Sequence, residues 1–143
     1  MFTQPTRKRR SCLVPAVIVI LLAGALAAPM AIARIVMNTI DPVATVTRGG
    51  HLINVTGPLR CDANQRAYLR VTVTQRSTGA LAEGETQFTC TGDTQHWEVR
   101  ASIRGNETFQ VGPATAVAVA RTNDRGVADD AHQWLVNIAL AAK

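Results

Sequence analysis

The sequence has few aromatic and few charged residues. Its 143 residues include two Trp, one Tyr and three Phe, and 17% are charged, whereas 47% are hydrophobic. The hydrophobic content excludes a disordered tail, and ten glycines are too few for a collagen-like repeat. The length excludes a large multidomain enzyme. The sequence contains no internal repeat and no interdomain linker.

Positive charge is concentrated at the start of the chain. Fifteen Lys and Arg against ten Asp and Glu give +5, but residues 7–10 supply four of the fifteen. Without those four the balance is 11 − 10, or +1. So small a charge attracts a phosphate backbone only weakly, which disfavours nucleic acid as a partner.

An export signal is predicted over residues 1–33. The basic cluster is followed by a dense apolar run at residues 16–28. Ala31 and Ala33 then provide the small residues that signal peptidase requires, which predicts cleavage before Arg34.

An uncleaved anchor is the alternative interpretation of the same segment. Residues 11–33 carry no charge and are long enough to cross a hydrocarbon core of ~30 Å. Either interpretation leaves the basic residues in the cytoplasm and places residues 34–143 outside it, secreted or in the cell envelope.

Cysteine use agrees with export. Cys12 lies within the predicted signal, so Cys61 and Cys90 remain as a pair in a chain destined for an oxidising compartment. A structural disulfide between them is expected. A metal site is the alternative, but no CxxC motif or neighbouring histidine completes a set of ligands.

Apolar and polar residues alternate in four segments, which indicates half-buried strands. The apolar face lies at odd positions in residues 53–61, 67–73 and 97–103, and at even positions in residues 134–140. Weaker candidates are residues 43–47, 85–90 and 114–121. The last of these is rich enough in alanine for a helix, but turn residues on both sides favour a strand.

These patterns predict an all-β domain over residues 34–143. The expected architecture is an immunoglobulin-like sandwich of two antiparallel sheets with about seven strands. The predicted core consists of Leu59, Leu69, Val71, Val73, Phe88, Trp97, Val99, Ile103, Trp134, Val136 and Ile138.

Several short motifs occur in a recognisable order. They are Gly57-Pro-Leu-Arg-Cys61, Val71-Thr-Val-Thr-Gln75, Cys90-Thr-Gly-Asp-Thr-Gln-His-Trp97, Phe109-Gln-Val-Gly-Pro-Ala114 and the alternating Ala/Val run at residues 116–120. The sequence resembles, in this order, a family of small secreted actinobacterial proteins. The resemblance covers roughly Asp41 to Leu140. It implies a β-sandwich and carries no catalytic residues, because that family has none assigned.

Catalytic and metal-ligating patterns are sparse. His51, His96 and His132 are the three histidines, and no Gly-x-Ser-x-Gly motif supplies a nucleophile. We therefore expect no enzymatic activity and no cofactor. The alternative is a small extracellular hydrolase or metal-binding protein in which the three histidines converge.

A surface rich in arginine is the main candidate for binding. Arg66, Arg70 and Arg76 lie on the polar face of one predicted strand, and Arg100 and Arg104 on that of another. If the two strands share a sheet, these guanidinium groups form one face, which suits an anionic cell-wall polymer, a glycan or membrane headgroups.

The predicted function is therefore a non-enzymatic binding or structural module outside the cytoplasm. Its expected partner is an extracellular protein or a cell-wall polymer, and membrane contact is expected only through residues 11–33 if they are uncleaved. A loop at residues 79–84 would also suit an inhibitor of extracellular hydrolases.

Overall fold

Strands make up most of the chain that the computed structural model describes, which is residues 35–124 and 127–143. The predicted signal or anchor and its cleavage residues Ala31, Ala33 and Arg34 lie outside these ranges. Within them, no helix has the length and apolar character needed to cross a bilayer.

Eight strands follow one another, with one 3-10 helix at Arg48–Gly50 between the second and third. The strands are β1 (Ile35–Asn38), β2 (Val43–Thr47), β3 (Leu52–Cys61), β4 (Arg66–Gln75), β5 (Ala80–Thr89), β6 (Thr94–Ile103), β7 (Gly112–Asp124) and β8 (Val127–Ala142).

The predicted strand segments are confirmed, and the all-β fold with them. The Ala/Val segment at residues 114–121 belongs to β7, which pairs with β4 on one edge and β8 on the other. Pairing on both edges overrides the helical preference of its alanines. Because β5 begins at Ala80, residues 79–84 are largely strand. The prediction of a loop at these residues is therefore wrong.

The sheet closes on itself, so the prediction of a two-sheet sandwich is corrected to a barrel. Its strand order is β1-β3-β2-β8-β7-β4-β5-β6. An additional pairing of β3 with β6 closes the seven strands from β3 to β6 in this order into a ring, and β1 pairs with β3 outside it. All ladders are antiparallel except that of β2 with β8. In a sandwich and in a barrel alike, a strand of alternating apolar and polar residues turns its apolar face inward. The pairing of β3 with β6 is therefore what distinguishes the barrel from the sandwich.

The core fills the inside of this ring. The inward side chains of β3, β4 and β6 are almost all fully buried, and β7 contributes four small ones, Ala114, Ala116, Ala118 and Ala120. These alanines lie opposite large residues of β8, for example Ala118 opposite Trp134. Every predicted core residue lies in the core or packs against it.

The β5–β6 ladder is short, and a glycine and a disulfide stabilise the region around it. Only Ala82↔Ile103 and Glu83↔Ser102 pair across these strands. At Gly84 the two backbones approach so closely that a β-carbon would lie 2.6 Å from the Arg100 carbonyl oxygen. Where β5 ends, the Cys61–Cys90 disulfide joins it to β3, which confirms the predicted pairing.

The disulfide also defines one end of the barrel. Cys90 N–H donates to the Gln65 carbonyl, and Asn64 N–H donates to the Cys90 carbonyl, both at 2.8 Å. We call this the disulfide end. The opposite end carries Gly50, Gln75 and Phe109.

Candidate functional site

The three histidines lie in different parts of the barrel. His51 follows the 3-10 helix at the end opposite the disulfide, and its Nδ1 lies 2.8 Å from the Arg48 carbonyl oxygen. His96 lies on the outer face of β6, opposite Pro58 of β3. His132 lies on β8, opposite Ala120 of β7. Within the described ranges the three histidines do not belong to any group of three potential metal ligands.

His132 has a carboxylate neighbour. Its Nε2 lies 3.5 Å from Asp130 Oδ2. Asp130 also accepts hydrogen bonds from the N–H of Ile35 and of Ala131, both at 2.9 Å. Among the residues described, no three His, Cys, Asp or Glu side chains are grouped to hold a metal.

The predicted arginine face is interrupted by β5. This strand lies between β4 and β6 and brings Glu83 and Glu85 to the outer surface. Arg70 Nε donates to Glu85 Oε1 at 2.7 Å, and Arg104 Nε donates to Glu83 Oε2 at 3.0 Å. The hydrogen bond to Glu85 and its charge raise the pKa of Arg70 above its ordinary value.

The five predicted arginines therefore do not form one cationic surface. Arg100 also has a carboxylate neighbour, because its Nε lies 3.4 Å from Glu98 Oε1. Arg76 lies in the turn after β4, at the end opposite the disulfide. Of the five, only Arg66 faces outward at the disulfide end of β4.

An outer depression beside Arg66 groups polar side chains of β4, β5 and β7. The strand register places Tyr68 beside Arg121 on one edge and beside Gln87 on the other. Arg66 lies opposite Asn123 in the same ladder. The depression has a volume of about 790 Å³, and its lining includes Tyr68, Arg70, Glu85, Gln87, Arg121 and Asn123.

Two cations, Arg121 in the lining of this depression and Arg66 beside it, have no carboxylate partner among the described side chains. Among the side chains that the structure describes, no Asp or Glu forms an ion pair with Arg66 or Arg121. Both arginines are exposed, and Tyr68 is 39% exposed. Each guanidinium can bind a carboxylate or phosphate through two hydrogen bonds, while the phenol ring offers a flat apolar surface.

Arg66 and Arg70 were predicted as surface residues from the sequence, whereas Arg121, Asn123 and Gln87 were missed. The alternation over residues 114–121 already predicts an outward Arg121. The missing information was that β7 is the neighbour of β4. That pairing joins residues 41 to 57 positions apart, and no local pattern specifies it.

Comparison with known proteins provides no identity for this site. No family model matches the chain, and no curated protein matches it significantly. The resemblance to small secreted actinobacterial proteins therefore stays a prediction.

Proposed function

We propose that the protein is a non-enzymatic binding module outside the cytoplasm, and that it holds an anionic cell-wall polymer or glycan. The observation that carries the proposal is the outer depression at Tyr68, where Arg66 and Arg121 have no carboxylate partner among the described side chains. Exposed cations of this kind are available to an external anion.

The shape of the depression favours a polymer over a small molecule. It is open along the outer wall of the barrel, whereas sites for small molecules usually enclose most of the ligand. An extended chain can lie across β5, β4 and β7, with its anionic groups at Arg66 and Arg121. The amides of Gln87 and Asn123 can donate to and accept from hydroxyl groups.

Export is part of the proposal. The Cys61–Cys90 disulfide supports it because disulfides persist in oxidising compartments. The basic and apolar sequence of residues 1–33 supports it independently.

The proposed export is tested by measuring the intact mass of the protein recovered from culture supernatant and membrane fractions. We expect the intact mass of residues 34–143, with two thiols that react only after reduction. An uncleaved mass in the membrane fraction would indicate the anchor. A reduced pair of cysteines in the recovered protein would contradict export to an oxidising compartment.

Substitution of Arg121 by Gln tests the polymer site. We expect about tenfold weaker binding, because one charge-assisted contact contributes roughly 1.5 kcal/mol. The probes are polygalacturonate, which carries carboxylates, and poly(glycerol phosphate), which carries phosphates. Calorimetry at low salt gives the affinities and shows which anion is preferred.

Arg76→Gln is the matched control. It removes the same charge from an exposed arginine at the other end of β4, so general attraction falls equally in both variants. We expect Arg76→Gln to bind like the parent. Equally weakened binding by the two variants would contradict binding at the depression. If the parent binds neither polymer, the proposed ligand class is wrong.

A further inference from the structure

Three rows of outward side chains cross β5, β4 and β7 at the outer depression, and the rows differ in charge. The first row holds Arg66 and lies beside the depression. The second row holds Tyr68 and Arg121, and the third holds Arg70 and Glu85. Each of the first two rows carries one positive charge, whereas the two charges of the third row cancel. The surface therefore changes from cationic to neutral along β4.

The ion pair in the third row leaves one carboxylate oxygen available. Arg70 Nε donates to Glu85 Oε1, and Arg70 Nη2 contacts that same oxygen. Among the described side chains, none donates to Glu85 Oε2. A carboxylate oxygen accepts hydrogen bonds from hydroxyl groups, whereas a second anion beside it would be repelled. The third row therefore suits a ligand group that is hydroxylated and uncharged.

Tyr68 supplies an apolar surface between the cations and the ion pair. Its ring lines the depression, together with the half-buried Val119 of β7. The C–H groups on one side of a pyranose ring form an apolar surface, which packs on the negative face of an aromatic ring. A polyol phosphate chain has no such ring. The second row therefore favours a carbohydrate over a polyol phosphate.

The strand register also gives the path of the ligand. Arg121 lies directly opposite Tyr68, and Glu85 is diagonal to Tyr68 on the other neighbouring strand. Side chains in such diagonal positions are about 7–8 Å apart at their Cα atoms. A chain that crosses from β7 to β5 therefore meets a cation, then an aromatic ring, then a carboxylate.

We infer that the depression selects an acidic glycan in which charged and uncharged sugars alternate. This inference rests on the proposed function, because it assigns the ligand of the same site. A charged sugar packs on Tyr68 with its carboxylate held by Arg66 and Arg121. The uncharged sugar that follows donates a hydroxyl to Glu85. A polymer with a charge on every sugar would place its next carboxylate beside Glu85, where it is repelled.

Calorimetry of the parent protein with three polymers tests this specificity. Hyaluronate alternates glucuronate with uncharged N-acetylglucosamine, polygalacturonate carries a carboxylate on every ring, and poly(glycerol phosphate) has no ring. We expect hyaluronate to bind about fivefold more tightly than polygalacturonate, since like charges at a protein surface repel by roughly this factor. Poly(glycerol phosphate) should bind most weakly. General attraction predicts the opposite order for the two glycans, because polygalacturonate is more densely charged.

The possible results distinguish this inference from the proposed function. If the parent binds none of the three polymers, the proposed function is wrong, and the inference fails with it. If polygalacturonate or poly(glycerol phosphate) binds at least as tightly as hyaluronate, and Arg121→Gln still weakens binding, the depression is the site but the inference is overturned.

Glu85→Gln tests the uncharged row. The amide keeps the size of the side chain, removes the carboxylate and leaves Arg70 as a further unpaired cation. We expect the preference for hyaluronate over polygalacturonate to disappear. Glu107→Gln is the matched control, because it removes the same charge from an exposed position in the segment after β6. It should keep the preference of the parent. An unchanged preference in Glu85→Gln would overturn the inference.

Tyr68→Leu and Tyr68→Phe form a matched pair that tests the aromatic ring. Leucine keeps an apolar side chain, and phenylalanine keeps the ring. We expect Tyr68→Leu to bind hyaluronate about fivefold more weakly than Tyr68→Phe, and the two to bind poly(glycerol phosphate) equally. Equal binding of hyaluronate by the two variants would overturn the inference. If either variant fails to fold, the order of affinities in the parent still decides the question.

Discussion

A variant with Cys61→Ala and Cys90→Ala is expected to lose about 3.5 kcal/mol of its free energy of unfolding. The bond joins residues 29 positions apart, and the chain-entropy description assigns roughly this value to a loop of such length. The Tm should fall by about 15 °C for a domain of this size. The loss is large relative to the ~5–15 kcal/mol that stabilises most domains.

The position of the bond adds a local consequence. The β5–β6 ladder has only two residue pairs, so the disulfide holds the end of β5 where hydrogen bonds to β6 are missing. Thermal unfolding of parent and variant under oxidising conditions measures the effect. The parent in reducing agent is the control and should melt like the variant. Equal melting of variant and oxidised parent would contradict a structural role for the bond.

Substitution of Gln75 by Met is expected to lower the free energy of unfolding by about 2 kcal/mol. Gln75 is 1% exposed at the end of β4. Its Nε2 donates to the Gln110 carbonyl at 2.9 Å, and its Oε1 accepts from Gln110 N–H at 2.8 Å. Methionine has similar length and no amide, so it removes both hydrogen bonds, each of which contributes ~0.5–1.5 kcal/mol.

Denaturant unfolding measures this effect, with Gln133→Met as the control. Gln133 is an exposed glutamine of β8, and its substitution is expected to change stability by less than about 0.5 kcal/mol. If the two variants are equally stable, the hydrogen bonds from Gln75 to Gln110, in the segment between β6 and β7, do not stabilise the fold.

Local features of the fold were predictable because the alternation of apolar and polar residues along a strand indicates which side chains are buried. Leu69, Val71 and Val73 face inward as their spacing predicts, and the cysteine pair identified the disulfide. Closure was not predictable. A sandwich and a barrel both require one apolar face per strand, and the difference depends on nine residue pairs between β3 and β6.

The candidate site was predictable only in part for the same reason. Outward positions such as Arg66, Tyr68 and Arg100 follow from alternation, but neighbours across a sheet do not. Alternation allows arginines of β4 and β6 to share a surface, but it does not show that β5, with Glu83 and Glu85, lies between them. Nor does alternation specify that Arg121 lies beside Tyr68.

The parallel pairing of β2 with β8 determines when folding can be completed. The ladder joins residues 43–46 to residues 139–142, so the ring stays open until that last strand has been delivered. Hairpins such as β4–β5 can form earlier, because their partners are close in sequence. If the chain is exported in extended form, as proposed, this late, long-range closing step postpones the finished barrel until translocation has reached β8.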